Sequence, residues 1–318
     1  MMAAARGMAG RRFALLLALH DSDYAKTAYG GYYNVFVSAF GVPGDQWDGF
    51  RVVDGEFPAA EDLARYDGFV ITGSPFDAYG DAPWIRRLCL LVQALHAMRK
   101  RVLGVCFGHQ LLCRALGGRV ARSRTGWDVG VRKITLAHDI LEGFDNFSLG
   151  ATDLEDEFGV PLWNANLIEV HQDEVWEVPR GARVLAYSEK TRVEAFAVGE
   201  HAMGVQGHPE YTLDILHNLI DRLTNDGSIS RSLGEDARRS AAETGGPDRA
   251  FWTALCKGFL RGGPRIGSSR PAATATVAAV PEIISNNGSR ATVAAGCFVG
   301  EAPVLHQLAC SAGAAGIN

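Results

Sequence analysis

The sequence predicts an α/β fold, and three observations support that prediction. Short apolar runs alternate with longer amphipathic stretches from residue 13 to about residue 262, as in a sheet with helices packed against it. The stretch DAPW at 81–84 sets a proline at the first turn of one amphipathic stretch, which favours a helix start there. With 318 residues and 47% hydrophobic content, the chain can bury a large core.

The predicted strands are short apolar runs, and they lie at 13–19, 50–53, 68–71, 102–105, 167–170, 184–188, 194–198 and 202–206. The predicted helices show apolar residues at helical spacing, and they lie at 31–40, 83–98, 109–116, 212–225 and 248–260. Residues 1–12 are predicted to be an N-terminal extension, and residues 13–262 are predicted to form one domain. Residues 263–318 are poor in aromatic and charged residues, so we expect a mostly disordered, low-complexity tail.

Composition excludes several classes of partner. The net charge is −5 and no basic run interleaves with aromatic residues, so nucleic acid is not expected and a small-molecule substrate is. The apolar run at 13–19 is far shorter than the roughly 18 residues of a membrane span, so no membrane partner is expected. Six scattered cysteines without a CxxC pair predict neither disulfides nor a metal site and favour the cytosol. The Ala- and Arg-rich residues 1–12 leave a transit peptide open.

The segment GVCFGHQ, residues 104–110, sets a cysteine between a predicted buried strand and a predicted helix. Gly104 and Gly108 flank Cys106, and a sharp strand-to-helix turn that exposes a nucleophile needs such small neighbours. The positive end of the helix would favour the Cys106 thiolate, and the Phe107 amide would stabilise an oxyanion. A small cysteine that only packs at the end of a strand is the alternative.

The segment VQGHPEYTLDIL, residues 205–216, offers the other groups that a cysteine nucleophile needs. His208 follows a predicted strand, and Glu210 lies two positions later. Pro209 restrains the backbone between them, so the carboxylate can turn back onto the imidazole and orient it as a base. A polar turn that opens the next helix explains the same tripeptide.

Together the two segments resemble the class I glutamine amidotransferase family. In that family a G-x-C-x-G-x-Q segment carries the nucleophile and a later H-P-E completes a Cys-His-Glu triad; both patterns occur here, at 104–110 and 208–210. VITGSPFDAYGD at 70–81 and VHQDEV at 170–175 agree with two further family segments. The resemblance covers about residues 13–223. It implies a three-layer α/β/α sandwich with a mostly parallel central sheet, flavodoxin-like and class I glutamine amidotransferase-like.

The resemblance also implies a role for each matching residue. Cys106 would be the nucleophile, His208 the general base and acid, and Glu210 the group that orients His208. The backbone amides of Ser74 and Phe107 would form the oxyanion hole.

Four further residues would bind the glutamyl part of the substrate: Gly73, Gln110, Gln172 and Asp173. Gln110 on the helix surface and Asp173 as a turn cap are the alternatives. His171 is equally well explained as a structural or a substrate-binding histidine, and His109 is expected to be structural. No cofactor is implied.

Within the family, the sequence resembles the plant γ-glutamyl peptidase branch. GSP at 73–75 replaces the usual Gly-Gly-Pro, and the segments at 20–37 and 125–130 agree with the branch. The segment at 20–37 is expected to border the pocket. The branch implies hydrolysis of the γ-glutamyl amide of glutathione, its S-conjugates or related peptides through a γ-glutamyl thioester.

The chain has no G-x-x-x-x-G-K-[ST] loop, so a hydrolase that works alone is favoured. A glutaminase subunit that supplies ammonia to a separate synthetase chain is the first alternative. A catalytically silent binding protein of the same fold is the second.

Overall fold

The computed structural model describes residues 10–137, 140, 150–155 and 161–262. The strands in these residues are β1 (Arg12–Leu16), β2 (Gln46–Phe50), β3 (Gly68–Ile71), β4 (Arg101–Val105), β5 (Arg119–Arg122), β6 (Asp128–Leu136), β7 (Gly150–Glu155), β8 (Pro161–His171), β9 (Asp173–Glu177), β10 (Ala182–Tyr187), β11 (Ala195–Val198) and β12 (Ala202–Val205). The α-helices are α1 (Asp23–Tyr29), α2 (Tyr32–Phe40), α3 (Pro83–Ala97), α4 (Phe107–Ala115), α5 (Leu213–Asn225), α6 (Arg231–Glu243) and α7 (Arg249–Arg261).

A ten-stranded central sheet organises the fold, in the order β2-β1-β3-β4-β12-β11-β10-β6-β8-β7. The strands from β2 to β12 in this order are parallel, and every pair beyond β12 is antiparallel. β5 and β9 form a separate antiparallel ribbon. The carboxyl ends of β3, β4 and β12 therefore lie side by side, which is where α/β sheets commonly bind ligands.

Helices cover both faces of the sheet, which makes the fold a three-layer α/β/α sandwich. Along β1, Phe13 and Leu15 pack in one core with α2 and α7, whereas Ala14 and Leu16 pack in the other with α3 and α4. This alternation follows from the period of two in a strand, and it requires apolar residues at successive positions. The α/β class predicted from the sequence is confirmed.

The five predicted helices are present, with ends that differ by one or two residues. The predicted strand at 50–53 is wrong, because β2 ends at Phe50 and Val52–Asp54 is a 3₁₀ turn. β2 is an edge strand whose residues are half-buried or exposed, so it lacks a continuous apolar run. α6 was not predicted because it buries only small residues, Gly234, Ala237 and Ala241.

In the antiparallel half of the sheet, β10, β11 and the last residues of β8 were predicted, whereas β6 and β7 were not. β6 mixes buried and exposed positions along nine residues, and its hydrophobic signal is correspondingly weak. The predicted tail at 263–318 and most of the predicted extension at 1–12 lie outside the described residues. In the part of the chain that the structure describes, no helix combines the length and apolar character needed to cross a membrane.

Candidate active site

Cys106 lies in the turn between β4 and α4, with a backbone conformation that side chains seldom adopt. Its φ is 51° and its ψ is −105°, which is outside the main allowed regions for a residue with a Cβ. Such strain persists only where the surrounding structure fixes it, and it clusters at functional sites. The turn directs Cys106 into a cavity at the carboxyl edge of the parallel strands.

Two glycines allow this turn by bringing α4 close to the sheet. A Cβ on Gly104 would lie 2.3 Å from the carbonyl oxygen of Gly108, and a Cβ on Gly108 would lie 2.4 Å from the carbonyl oxygen of Ile71. Backbone atoms occupy both positions, so no side-chain rotation could make room. The glycines that the sequence analysis singled out are therefore required by close packing of helix on strand.

His208 and Glu210 lie in the turn that follows β12, the parallel neighbour of β4. His208 Nδ1 is 2.8 Å from Glu210 Oε1, and both side chains are buried. The His208 amide donates to the Ile168 carbonyl at 2.8 Å, and the Tyr211 ring stacks on the imidazole with centroids 4.0 Å apart. The imidazole is thus held by its backbone, its carboxylate partner and an aromatic face.

The structure brings His208 and Cys106 together, as the strand order requires. Burial lowers the pKa of His208, but the charge of Glu210 and the charge and hydrogen bond of Cys106 outweigh it and raise that pKa well above its ordinary value. Because Nδ1 is occupied by Glu210, Nε2 is the ring nitrogen left to face the sulfur. A protonated imidazole beside sulfur favours a thiolate.

The two amides expected to form the oxyanion hole lie next to this pair. Phe107 is the first residue of α4, so its amide has no acceptor within the helix. Ser74 lines the same cavity as Cys106. A Cβ on Gly73 would lie 3.0 Å from His208 Cε1 and 3.7 Å from the Cys106 Cβ, so the backbone before Ser74 runs directly beside these two residues.

Gln110 lines the cavity, but its side-chain amide nitrogen donates its hydrogen bonds to other groups of the protein. Its Nε2 donates to the Asp173 carbonyl at 2.7 Å and to Gln206 Oε1 at 3.1 Å, and the side chain is buried. These bonds tie α4 to the turn before β9, where Gln172 and Asp173 also line the cavity. Contact between Gln110 and substrate stays a prediction that only the remaining carbonyl oxygen could fulfil.

A charged rim that the sequence analysis did not identify surrounds Asp173. Arg122 Nε is 3.4 Å from Asp173 Oδ1 and Arg122 Nη2 is 3.7 Å from Asp77 Oδ1, while the Tyr79 hydroxyl donates to Asp173 Oδ1 at 3.3 Å. Burial, together with the neighbouring Asp77, raises the pKa of Asp173 despite Arg122. Arg122 lies on β5, which carries no motif of its own, so no local sequence signal marks it.

The two histidines near the motifs have different surroundings. His109 is fully buried against Phe196, and burial lowers its pKa to about 3, so it is neutral and structural as expected. His171 lines the cavity, and its Nδ1 is 3.0 Å from the Asp173 carbonyl oxygen. The segment at 20–37 borders the cavity as predicted, through His20 and Tyr32.

Cys106, His208 and Asp173 line one cavity of about 250 Å³. It is lined by Leu19, His20, Tyr32, Ser74, Pro75, Phe76, Asp77, Cys106, Gln110, Arg122, Trp127, Val170, His171, Gln172, Asp173, His208, Tyr211, Leu219, Arg222 and Leu223. A thiol beside an imidazole that a carboxylate orients, at the wall of a cavity, is an arrangement that can transfer an acyl group through sulfur.

Comparison with known proteins assigns the class. A family model described as glutamine amidotransferase class-I matches residues 50–221, and the chain belongs to that family. The crystal structure of a glutamine amido transferase from Methylobacillus flagellatus shares the fold, with a TM-score of 0.56 and 18% identity over 84% of this chain and all of that one. That likeness agrees with the sandwich described above.

The relatives with the highest sequence identity show which members of the family this chain is most similar to among those compared. Gamma-glutamyl peptidase 3 of Arabidopsis thaliana is 49% identical over 254 residues, which cover 79% of this chain and 97% of that protein. Gamma-glutamyl peptidase 5 of the same plant is 49% identical over 252 residues, 79% of this chain and 96% of that protein. A glutamine-hydrolyzing GMP synthase component of Saccharolobus solfataricus is 32% identical over 153 residues, 47% of this chain and 70% of that protein. The chain groups with the gamma-glutamyl peptidases, which it matches over almost their whole length.

Proposed function

We propose that this chain is a cysteine-dependent γ-glutamyl peptidase that hydrolyses the γ-glutamyl amide of glutathione, its S-conjugates or related peptides. The observation that carries the proposal is the contact between Cys106 and His208 at the wall of a cavity, with Glu210 on the far side of the imidazole. The names of the plant relatives support the choice of the γ-glutamyl bond.

The first half of the reaction forms a thioester. The Cys106 thiolate attacks the γ-carbonyl carbon, and the carbonyl oxygen becomes an oxyanion held by the amides of Phe107 and Ser74. The C–N bond then breaks while the imidazolium of His208 gives its proton to the departing nitrogen. The products of this half are an amine, such as a dipeptide, and a γ-glutamyl thioester on Cys106.

The second half restores the enzyme by hydrolysis. Neutral His208 takes a proton from water, the resulting hydroxide attacks the thioester carbon, and the same amides hold the second oxyanion. The C–S bond breaks, glutamate leaves and Cys106 is again the thiolate beside the imidazolium. Glu210 keeps the imidazole in one orientation through both halves without exchanging a proton itself.

The charges at the cavity fit the two ends of a glutamyl group. A γ-glutamyl substrate carries an α-ammonium and an α-carboxylate at its far end, and the cavity presents Asp77, Asp173 and Arg122 together at one side. We propose that this rim, with Gly73, Gln110 and Gln172, receives the glutamyl end. The leaving group then lies toward the remaining cavity wall.

The test compares two substrates with purified protein. Incubation with a glutathione S-conjugate is expected to release glutamate and the cysteinylglycine conjugate, detected by mass spectrometry, whereas glutamine is expected to release little ammonia. Cys106→Ala is expected to lower turnover at least about 10³-fold because it removes the nucleophile. Cys89→Ala, a half-buried cysteine outside the cavity, is the matched control and is expected to retain turnover. Ammonia release with no peptide cleavage would reject the peptidase.

A glutaminase that feeds a separate synthetase chain is the second candidate, because a glutamine-hydrolyzing GMP synthase component is among the relatives. Glutaminase activity that appears only after a synthetase chain co-purifies would support it. A catalytically silent protein is the third candidate, and labelling of Cys106 by a thiol-reactive glutamine analogue would exclude it.

We place the activity in the cytosol, because the four described cysteines are all free. Fractionation of cells that express the full chain tests this placement. Recovery of the protein in an organelle fraction would contradict the placement and would favour a transit peptide at residues 1–12.

A further inference from the structure

A second group of ionisable side chains lies behind the wall of the cavity. Glu169 and His171 are two residues apart on β8, so they point to the same side of the strand, and Glu194 directly precedes β11. Glu169 and Glu194 have no solvent exposure, and His171 is 5% exposed. One side-chain atom from each residue lies within 4.8 Å of the other two.

The polar atoms of this group have no hydrogen-bond partners in the part of the chain that the structure describes. Both carboxylate oxygens of Glu169, both of Glu194 and Nε2 of His171 are buried and accept or donate no hydrogen bond. His171 Nε2 is 3.4 Å from Glu169 Oε2. Burying an ionised carboxylate without a partner is costly, so two of them side by side require a compensating group.

The nearby basic side chains do not supply that compensation. Asp128, a third buried carboxylate in the same region, accepts from Arg132 Nε at 2.7 Å and has Lys190 Nζ at 3.8 Å. The pair therefore needs either a shared proton or a bound cation.

We propose that Glu169, His171 and Glu194 bind one divalent transition-metal ion, with zinc as the ion that best fits. Two carboxylates and a neutral imidazole are a known zinc ligand set, with metal–ligand distances of about 2.0–2.2 Å. Ligand atoms around a tetrahedral zinc ion are then about 3.4 Å apart, which equals the separation of His171 Nε2 and Glu169 Oε2. A ligand atom of Glu194 lies within 4.8 Å of both other residues, and a tetrahedral zinc ion held by three protein ligands takes water as its fourth.

Such an ion would link the two chain segments that hold the catalytic histidine. The Gln206 amide donates to the Glu194 carbonyl at 2.7 Å, and the His208 amide donates to the Ile168 carbonyl at 2.8 Å. Between them, a Cβ on Gly207 would lie 2.2 Å from Glu169 Oε1, so only a glycine leaves room for the Glu169 carboxylate. The ion is therefore structural in this proposal, and its nearest effect is on the position of His208.

His171 gives the ion a route of entry. It lines the cavity through its exposed edge, and its Nδ1 is engaged by the Asp173 carbonyl, which directs Nε2 inward to Glu169. A backbone carbonyl on the second nitrogen is the usual way a metal-binding histidine is oriented. The sequence analysis expected no metal because it found no CxxC pair, whereas these ligands are two glutamates and a histidine from two separate segments.

The test measures metal in the full-length chain carrying Cys106→Ala, so that the Cys106 and His208 pair cannot itself capture zinc. After exposure to Zn²⁺ and gel filtration, elemental analysis is expected to find about one zinc per chain, and EDTA is expected to lower the thermal midpoint. Glu194→Gln in the same background is expected to weaken Zn²⁺ binding at least about 100-fold by calorimetry. Glu177→Gln, an exposed carboxylate on β9, is the control and is expected to bind normally.

Two results would overturn the site. The first is a zinc content below about a tenth of an ion per chain together with no heat on Zn²⁺ titration. A proton shared by Glu169 and Glu194 would then explain how the two carboxylates are buried side by side. Equal Zn²⁺ binding by Glu194→Gln would locate the ion elsewhere. If Glu194→Gln does not fold, zinc X-ray absorption of the Cys106→Ala protein decides: one imidazole with oxygen ligands supports the site, and two or more imidazoles reject it. Neither outcome depends on peptidase activity.

Discussion

At the scale of single residues, Cys106 shows how the fold holds a reactive side chain where an isolated chain would not. Its positive φ costs of the order of 1–3 kcal/mol, and that cost is met by the packing of α4 on β3 and β4. The strained turn places the sulfur beside His208 and beside the amide of Phe107. The proposed role of Cys106 as a nucleophile thus depends on its backbone conformation as much as on its chemistry.

Glu210→Gln tests the electrostatic part of this arrangement. Glu210 raises the pKa of His208 while burial lowers it, so the variant should show a lower His208 pKa. NMR titration of the imidazole is expected to show that His208 loses its proton at a lower pH in Glu210→Gln than in the parent protein. Glu177→Gln is the control and should leave the titration unchanged. An unchanged His208 titration in Glu210→Gln would contradict the assigned role.

The same pKa shift predicts how stability depends on pH. A histidine whose pKa is higher in the folded than in the unfolded state stabilises fully below about pH 6.5, and that contribution disappears as the pH rises through the folded-state pKa. The difference in free energy of unfolding between the parent protein and Glu210→Gln should therefore be largest near pH 6. It should shrink as the pH is raised. Urea denaturation between pH 6 and 9 measures it. A difference that grows with pH would show that the pKa of His208 is not raised.

At the scale of elements, the strand-to-helix turn depends on glycines that no other residue can replace. Gly104 faces the backbone of α4, and Gly108 faces the backbone of β3. The helix therefore begins at Phe107, directly after Cys106, and the amides of its first turn lie next to the proposed nucleophile. The GxCxG spacing is in this sense a packing requirement.

Gly104→Ala should separate α4 from the sheet. The added methyl would lie 2.3 Å from a backbone oxygen, so we expect a loss of roughly 3 kcal/mol in free energy of unfolding and a large loss of activity. Gly68→Ala on β3 is the control, because its methyl would meet the nearest atom at 3.3 Å and should cost clearly less. Chemical denaturation of both variants provides the comparison. Equal stability of the two would contradict the packing argument.

At the scale of the whole molecule, the active site depends on parts of the chain beyond the family-matched residues 50–221. β1 lies in the middle of the parallel strands, and α7 covers the sheet face opposite α4. Trp252 on α7 is fully buried, and its Nε1 donates to the Asn166 carbonyl at 3.1 Å. The segments before and after the matched region complete the core.

Two truncations test where the folded domain ends. α7 ends at Arg261, with Gly262 as its left-handed cap, and every proposed site residue precedes it. A chain that ends at residue 264 should keep its thermal midpoint and peptidase activity. A chain that ends at residue 246 loses α7 and its buried Phe251, Trp252, Leu255 and Phe259, each worth about 1.5–3 kcal/mol of burial. It should not fold, as measured by circular dichroism; loss of folding in the longer chain would move the domain boundary.

Sequence patterns predicted the parallel core better than the antiparallel half. Strands covered on both faces, such as β3 and β4, are continuous apolar runs, and such runs are visible in the sequence. β6 mixes buried and exposed positions, and β2 is an edge strand with half-buried and exposed residues. Neither strand therefore has a continuous apolar run in the sequence. In the site, the motif residues were found, whereas Arg122 and Tyr79 were not, because they join Asp173 from separate segments.

The sequence alone predicted the α/β class and, through the family resemblance, Cys106, His208 and Glu210 as site residues, because each motif depends on neighbours within a few positions. Only the tertiary structure decided that Cys106 meets His208, about 100 residues later, and that Glu194 joins Glu169 and His171. These contacts depend on the order of β4, β12, β11 and β8 in the sheet. Strand order is set by packing of the whole core, which local sequence patterns do not record.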